Sequence, residues 1–505
     1  MENELERQAL QKRIDDSKSV EERRELGQFS TPIPLAREIA RQALSLMKGQ
    51  GISFLEPAAG TGAFYSALLQ EIKDQRIVSA RGVEIDPAFA ESSSHLWGAS
   101  GFNVLCSDFT KASPDGKYNL VLTNPPYVRN HLIPQADKAR LSSLVEDELG
   151  LRISGLSGLY CYYLLLAHKW LAPGALCAWL LPSEFMDVNY GAAVKDYLLH
   201  KVRLLRIHRY DPSSSQFADA LVSSCVVWFV NEAVKQDYEV EFTYGGTHQS
   251  PVQRMMVSRT VLENEGKWTR FPLKPSRSSN STEDELGNFF SIKRGIATGD
   301  NSFFILSEDR IKELGLDMKF FKPILPSPRN LKEDLVERDK NRYPKLERKY
   351  FLLDCLAPED QIKAKSPSLW SYIESGVPAT SAKYLCRNRK KWYWQEQRSP
   401  APFLCSYMGR GSAKSSPIRF ICNLSNAIAT NSYLMLYPKE ALLRIIRSDP
   451  HAIIRIWNIL KSIKADDIED EGRVYGGGLK KIEPRELARV HCPEFERMCA
   501  GAADF

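Results

Sequence analysis

Short apolar runs alternate with stretches of helical periodicity through the first half of the chain. Residues 1–26 are rich in charge and read as an amphipathic helical arm. IPLAREIARQALSLM (33–47) sets apolar residues three and four positions apart, the spacing of one helix face. Thr31 before Pro32 reads as the start of that helix, because proline suits the first turn and threonine can cap it. ISFLEP (52–57), VSARGVEID (78–86), FNVLCSDF (102–109) and YNLVLTNPPY (118–127) read as buried strands, with GAFYSALLQEI (62–72) as a helix after the first. CYYLLLAHKWLAPG (161–174) reads as a helix stopped by Pro-Gly, followed by the strand ALCAWLLP (175–182). Strict alternation of this kind predicts parallel βαβ units in an open, doubly wound α/β sheet of Rossmann-like type. RLLRIHRYD (203–211) and LVSSCVVWFV (221–230) leave no room for a helix between them and are expected as an antiparallel pair finishing the sheet.

Around 231–285 the pattern degrades into polar and turn-rich sequence such as KPSRSSNSTEDE (274–285). The expected organisation is therefore an arm at 1–26, a first domain at 27–245, a connector at 246–284 and a mixed α/β domain at 285–505. Charge sharpens this division. Residues 1–250 carry 25 Lys/Arg against 30 Asp/Glu, whereas residues 251–505 carry 43 against 32. A basic second half joined to a mildly acidic first half points to a polyanion held by the second.

With 43% hydrophobic and 26% charged residues, the composition excludes a disordered, collagen-like or coiled-coil chain. No run approaches the ~18 apolar residues of a membrane span. The opening lacks a signal-peptide core. The 10 cysteines are scattered without a CxxC pair or a Cys/His cluster, which reads as a reduced cytoplasmic protein with no metal site.

The candidate chemistry sits at strand ends. Glu56-Pro57-Ala58-Ala59-Gly60-Thr61-Gly62 runs from a strand through a tight Gly-x-Gly turn into a helix, where backbone N–H groups can approach a ligand. The third glycine of the dinucleotide fingerprint is missing, which disfavours NAD. Glu84 follows at about the distance where an acid meets a ribose hydroxyl pair. Asp108, ending the next strand, can accept from an adenine amino group. Asn124-Pro125-Pro126-Tyr127 closes the fourth strand. Two prolines stiffen the turn and remove donors. The Asn124 amide oxygen and the Pro125 carbonyl are then two acceptors beside an aromatic face, suited to an exocyclic –NH2 on a planar ring.

These motifs together resemble the gamma-class, TaqI-like DNA adenine-N6 methyltransferases of type II restriction–modification systems, over most of the chain. The resemblance implies a Rossmann-like methyltransferase domain with a C-terminal target-recognition domain. It also implies S-adenosylmethionine as methyl donor, and N6 of a flipped-out adenine in double-stranded DNA as acceptor. GQFSTP resembles the segment that closes over the methionine end of the donor and points to Thr31. FLEPAAGTGAF places Glu56, Pro57, Ala58 and Gly60 at the donor, with Glu56 near its amino group. GVEIDP places Glu84 and Ile85 at the ribose, and SDF places Asp108 and Phe109 around the adenine. TNPPYV supplies catalytic Asn124, Pro125, Pro126 and Tyr127, the last stacking on the target base. Phe217 is expected on the opposite face of that base.

For DNA binding, FFSIKRGIATGDNSFFIL (289–306) implicates Lys293 and Arg294, and GRVYGGGLKKIEPREL (472–487) implicates Lys480 and Lys481. The basic, aromatic run CRNRKKWYWQEQR (386–398) adds Arg389, Lys390 and Lys391. A monomer or weak dimer is expected, paired in function with a restriction endonuclease. Competing readings are methylation of a glutamine amide in a release factor, cytosine-N4 methylation, a fused nuclease and a silent DNA-binding subunit. The large basic second half disfavours the first. Asn124 in place of Ser or Asp disfavours the second. The third is disfavoured because only the short arm precedes GQFSTP, and the fourth because the Asn124–Tyr127 cluster is intact.

Overall fold

In the computed structural model, which describes residues 2–47, 51–211, 223–234, 236–275, 282–410, 418–475 and 479–500, the predicted alternation is realised with changes at its ends. The chain divides into two units, Met1–Ser278 and Ser279–Phe505. The first contains α1 (Glu2–Asp16), α2 (Val20–Glu25), α3 (Ile33–Leu46), β1 (Ile52–Glu56), α4 (Ala63–Glu71), β2 (Ile77–Glu84), α5 (Pro87–Trp97), β3 (Phe102–Cys106) and β4 (Tyr118–Thr123). It continues with α6 (Gln135–Leu149), α7 (Leu159–Leu166), β5 (Leu171–Pro182), α8 (Ala192–Asp196), β6 (Arg203–Arg209), β7 (Ser224–Val230), β8 (Glu239–Gly246), β9 (Pro251–Ser258) and α9 (Arg259–Asn264). One sheet runs β3-β2-β1-β4-β5-β7-β6-β8-β9, parallel through β5, with β7 antiparallel to both its neighbours.

Period-two alternation sorts the side chains of this sheet into two layers. Leu120, Leu122, Ala178, Leu180 and Trp228 join the core under α3, α4 and α5. Val121, Cys177, Trp179, Leu181 and Val227 face α6 and α7. Because the central strands are covered on both faces, their sequences read as unbroken apolar runs. Trp179 is fully buried, and its truncation to alanine is expected to cost about 3–5 kcal/mol.

Several expectations are corrected. The helix read as 161–174 ends earlier, and Pro173-Gly174 lies within β5 as an irregularity against β4, with Gly174 at φ +73°. The pair β6–β7 does not finish the sheet. β8 adds parallel to β6, and β9 pairs with β8, so the first part of the expected connector 246–284 is sheet. The polarity of β9, with exposed Val252, Gln253 and Arg254, is that of an edge strand, which hides it from a search for apolar runs. The arm 1–26 is part of the first unit: Asn3 Nδ2 donates to the Leu96 carbonyl of α5 at 3.0 Å. Thr31 does not cap α3, whose N-cap residue is Pro32.

The second unit holds β10 (Phe290–Arg294), β11 (Ile305–Ser307), β12 (Phe321–Ile324), β13 (Leu335–Val336), β14 (Tyr350–Leu353), β15 (Phe403–Ser406), β16 (Met408–Arg410), β17 (Phe420–Asn423), β18 (Tyr433–Pro438), β19 (Arg473–Tyr475) and β20 (Leu479–Lys481). They form sheets ordered β10-β18-β15-β17-β13, β11-β14-β12 and β16-β20-β19, with helices at 440–448 and 452–462 against the largest. No helix among the described residues is long and apolar enough to cross a membrane.

Candidate active site

The parallel strands bring their C-terminal ends to one edge of the sheet. Glu56 ends β1, Glu84 ends β2, Asp108 lies just past β3, and Asn124 just past β4. A cavity of about 460 Å³ opens at that edge, with Pro57, Ala58, Gly60, Glu84, Ile85, Asp108, Asn124 and Pro126 in its wall.

The elbow at 124–127 is oriented by the segment that precedes α3. Asn124 Nδ2 donates to the Phe29 carbonyl at 3.0 Å and to Thr31 Oγ1 at 3.1 Å. Both amide hydrogens are thereby used, which sets the direction of the amide. Asn124 Oδ1 is buried and has no partner among the described residues. Thr31, expected to meet the donor molecule, instead holds Asn124. Gly27, at φ +66°, packs directly on the elbow: its carbonyl accepts from the Tyr127 N–H at 3.2 Å, and a Cβ there would stand 2.5 Å from that nitrogen.

Two acids beside the glycine turn differ in their hydrogen bonding. Glu84 Oε2 accepts from the Gly60 N–H at 2.8 Å and Oε1 from the Asp86 N–H at 2.9 Å. Burial pushes its carboxyl above the usual range. Each oxygen keeps a lone pair for a further donor, such as a hydroxyl. Glu56 is 2% exposed; Oε1 receives the Phe64 N–H at 3.4 Å, and Oε2 is buried without a partner among the described residues. Burial drives its carboxyl well above the ordinary value. An approaching ammonium group would relieve that cost. At the third strand end, Asp108 Oδ1 is taken by the Thr110 N–H and hydroxyl at 2.9 and 2.8 Å. Its Oδ2 faces Lys111 at 3.7 Å and Arg140 at 3.9 Å.

The N-terminal helices complete the cavity. Arg7, 3% exposed, donates to Thr61 Oγ1 at 3.0 Å, and that hydroxyl donates to Gln11 Oε1 at 2.9 Å. Lys18 pairs with Asp86, which also receives Gln28 Nε2 at 3.2 Å. Gln11, Asp15, Phe29, Arg140 and Tyr163 all line the cavity and were not picked out from the sequence. Polar residues of a charged helix carry no local sign of what they will face. Phe29 lies inside GQFSTP and was within reach of that motif.

Two aromatic assignments differ from expectation. Phe109 is 1% exposed and stacks on Trp170 at 5.3 Å in the core, while Tyr163 presents the aromatic surface to the cavity. Tyr127 is 8% exposed, its hydroxyl donates to the Leu180 carbonyl at 3.1 Å, and its ring lies 5.8 Å from that of Phe29, which lines the cavity. Pro125 is buried beside it. Phe217 lies outside the described residues.

The basic candidates all fall in the second unit. Lys293 is exposed on β10. Arg294 lies 3.9 Å over the Tyr407 ring, with Lys481 on the same ring at 5.1 Å and bonded to Glu483. Lys480 pairs with Glu469. Arg389 donates to the Ala297 carbonyl at 2.8 Å, and Lys390 sits over Trp394. Lys391 is half-buried. The aromatics between them serve the core: Tyr393 is buried with its hydroxyl on the Ala357 carbonyl, and Trp392 packs on Phe303 and Phe304. The glycines of 289–306 are likewise spent on packing, since a Cβ on Gly295 would meet the Thr430 carbonyl oxygen at 2.1 Å. Residues 476–478 lie outside the described set.

A parallel sheet with an antiparallel strand inserted between β5 and β6, and acids at successive strand ends, defines a doubly wound fold with a candidate ligand site at one sheet edge. The comparisons make this specific. The family model for the Eco57I restriction-modification methylase matches residues 34–217, and that for the C-terminal domain of type II methyltransferase M.Eco57I matches 265–504. The chain belongs to this family of type II restriction–modification DNA methyltransferases. It is 26% identical to the type II methyltransferase M.AccI of Acinetobacter calcoaceticus over 494 residues, 95% of this chain and 87% of that one. With M.XamI of Xanthomonas campestris pv. amaranthicola it shares 27% over 487 residues, 94% of this chain and 86% of that one. Among solved structures the fold is similar to the type IIL restriction-modification enzyme MmeI in complex with DNA (TM-score 0.52, 14% identity, 81% of this chain and 60% of that one). It is also similar to the DrdV–DNA complex (TM-score 0.51, 12% identity, 99% and 59%). The present chain spans about three-fifths of each of those two proteins.

Proposed function

We propose that this methyltransferase acts on N6 of an adenine turned out of double-stranded DNA, in the manner of the gamma class, with S-adenosylmethionine as methyl donor, and that it protects host DNA from a partner nuclease. The observation that carries this reading is the unpaired, buried Oδ1 of Asn124 on a proline-stiffened elbow, with its amide orientation set by Phe29 and Thr31. An aromatic amine is a poor nucleophile because its lone pair is delocalised into the ring. An acceptor drawing on one N–H favours a pyramidal nitrogen and returns that lone pair to it. Preorganised polar groups of this kind act without reorganisation cost in a desolvated site. Turning the base out costs a few kcal/mol, which contacts from the basic second unit would offset.

The residues present fit the donor molecule. Glu56 would take its ammonium group and Glu84 its ribose hydroxyls, and Asp108 with Tyr163 would line its adenine. Bound there, S-adenosylmethionine supplies an electrophilic methyl group. The protein's part is to hold the amine in line and to exclude water.

Glu56 gives a pH-dependent prediction. Its raised pKa means the free protein keeps this carboxyl protonated into a range where an ordinary glutamate is ionised. Affinity for S-adenosylmethionine should therefore rise with pH through that raised value, until the ligand's own ammonium group deprotonates. Glu56→Gln should flatten this dependence and weaken binding about 10- to 100-fold, the worth of one hydrogen bond to a charged group. The stability sign is opposite. The contribution of protonated Glu56 is complete below the ordinary carboxyl range and is lost as pH rises through the folded-state value. Glu56→Gln should accordingly raise the Tm of the free protein on the alkaline side. Calorimetric titration and thermal melts across pH check both, and a pH-independent affinity in the wild type would contradict the assignment.

The reading as a whole is tested by incubating the protein with S-adenosylmethionine and a DNA library, digesting to nucleosides and identifying the product. N6-methyl-2′-deoxyadenosine is expected. N4-methylcytosine, or an unmodified library alongside a methylated protein, would overturn it.

A further inference from the structure

On the face of the sheet covered by α3, away from the cavity, three side chains from distant parts of the sequence meet. Glu38 comes from α3, His208 from β6, and His248 from the turn between β8 and β9; each offers a ligand atom within 4.8 Å of the others. Both histidines are buried, at 0% and 1% exposure. Their rings lie 4.4 Å apart at 33°. The Nδ1 of each is engaged. That of His248 meets Glu38 Oε1 at 2.7 Å, and that of His208 meets Thr243 Oγ1 at 2.9 Å.

The ionised carboxylate can only accept, so the His248 proton must sit on Nδ1, which leaves Nε2 as a bare lone pair. Nε2 of His248 and Nε2 of His208 are both buried, and neither has a partner among the described residues. No hydrogen bond joins them. The Tyr210 hydroxyl is a further buried, unpartnered group on the same cluster, its ring 4.7 Å from that of His208 and 6.1 Å from that of His248.

Leaving several buried polar atoms unpaired within one cluster costs free energy at each of them. An imidazole whose Nδ1–H is held by a carboxylate while Nε2 keeps an unused lone pair is the arrangement that fixes a metal-bound histidine. Two imidazoles, one of them backed by a carboxylate, are a donor set for a borderline cation, not for magnesium or calcium, which prefer oxygen alone. We propose that His208 and His248 bind, through their Nε2 atoms, a divalent transition-metal ion of the zinc type, with Glu38 holding the His248 ring at Nδ1 and Tyr210 or water as further ligands. Through the Glu38–His248 hydrogen bond the site ties α3 to the antiparallel end of the sheet. α3 follows directly on Thr31, which holds the Asn124 amide, so the clamp braces the strut behind the elbow. It replaces the expectation of no metal site. Short-range motifs could not have found it, because Glu38 and His248 stand 210 positions apart.

The test uses the full-length protein. Metal analysis of protein purified without added metal should find about one equivalent of zinc per chain. A chelator such as dipicolinate should lower the Tm, and readdition of zinc should restore it. Cobalt(II) added to the chelated protein should give the visible bands of a four-coordinate site. His208→Asn and His248→Asn should lower the cobalt affinity at least about tenfold, as removal of a metal ligand or its support does. If those variants do not fold, the cobalt titration of the chelated wild type decides alone. Folded wild type holding less than a tenth of an equivalent and giving no cobalt bands would overturn the proposal, leaving a buried water as the bridge. Neither readout depends on methyl transfer, so failure here leaves the proposed activity untouched, and failure of that activity leaves the metal site untouched.

Discussion

Replacing Asn124 with alanine is expected to reduce methyl transfer by about 10²- to 10³-fold or more, the usual consequence of deleting one preorganised polar group at a reacting centre. Binding of S-adenosylmethionine should survive largely intact, since Glu56 and Glu84 sit on other strands. The split between lost turnover and kept binding is the diagnostic part. Asn124 uses both amide hydrogens on Phe29 and Thr31, so its only free function is the Oδ1 acceptor. Thr31→Val, which removes one of those two bonds, should fall between wild type and Asn124→Ala in kcat with little change in donor affinity. Single-turnover methylation alongside calorimetric titration of the donor measures both. Near wild-type turnover by Asn124→Ala would remove the elbow from the mechanism.

Gly27→Ala should be nearly as damaging, although residue 27 does no chemistry. Its φ of +66° disfavours any side chain, and the added Cβ would lie 2.5 Å from Tyr127 N, 2.7 Å from Val128 N and 2.8 Å from the Tyr127 carbonyl carbon. All three are backbone atoms that cannot swing aside. The elbow or the 27–31 segment must shift, and a displacement near 1 Å at a reacting centre costs about 10²-fold in rate. We expect a drop of that size in kcat, with a loss of about 1–3 kcal/mol in stability from the strained backbone. Thermal melts and single-turnover rates check it. A variant with unchanged rate and unchanged Tm would show that the contact between residue 27 and the elbow is not held in solution.

Much of the candidate site is legible in the sequence. Glu56, Glu84, Asp108 and Asn124 each follow an apolar run at the end of a parallel strand. Buried parallel strands leave unbroken apolar sequence, so their C-terminal ends can be read directly. Side-chain direction was not legible. Phe109 and Tyr127 lie next to the right residues, yet both rings turn into the core, because packing against Trp170 and hydrogen bonding to the Leu180 carbonyl decide where they point. The same limit applies to Trp392 and Tyr393, whose basic neighbours suggest a nucleic-acid surface but whose rings hold the second unit together. The N-terminal helix reads as a separate arm from its charge alone. Tertiary contacts such as Arg7 and Gln11 on Thr61 and Lys18 with Asp86 hold it against the cavity, where Gln11 and Asp15 form part of the wall.

By itself, then, the sequence determined the doubly wound sheet, the succession of strands along the chain up to β5, and the residues that end them, because these follow from local periodicity, glycine turns and proline stiffness. Tertiary structure decided which groups were left unpaired. Asn124 Oδ1, Glu56 Oε2 and the two histidine Nε2 atoms are unsatisfied through the sum of contacts around them, made by residues far apart in the chain. Hydrogen-bond satisfaction is a property of a folded neighbourhood, and no stretch of sequence carries it.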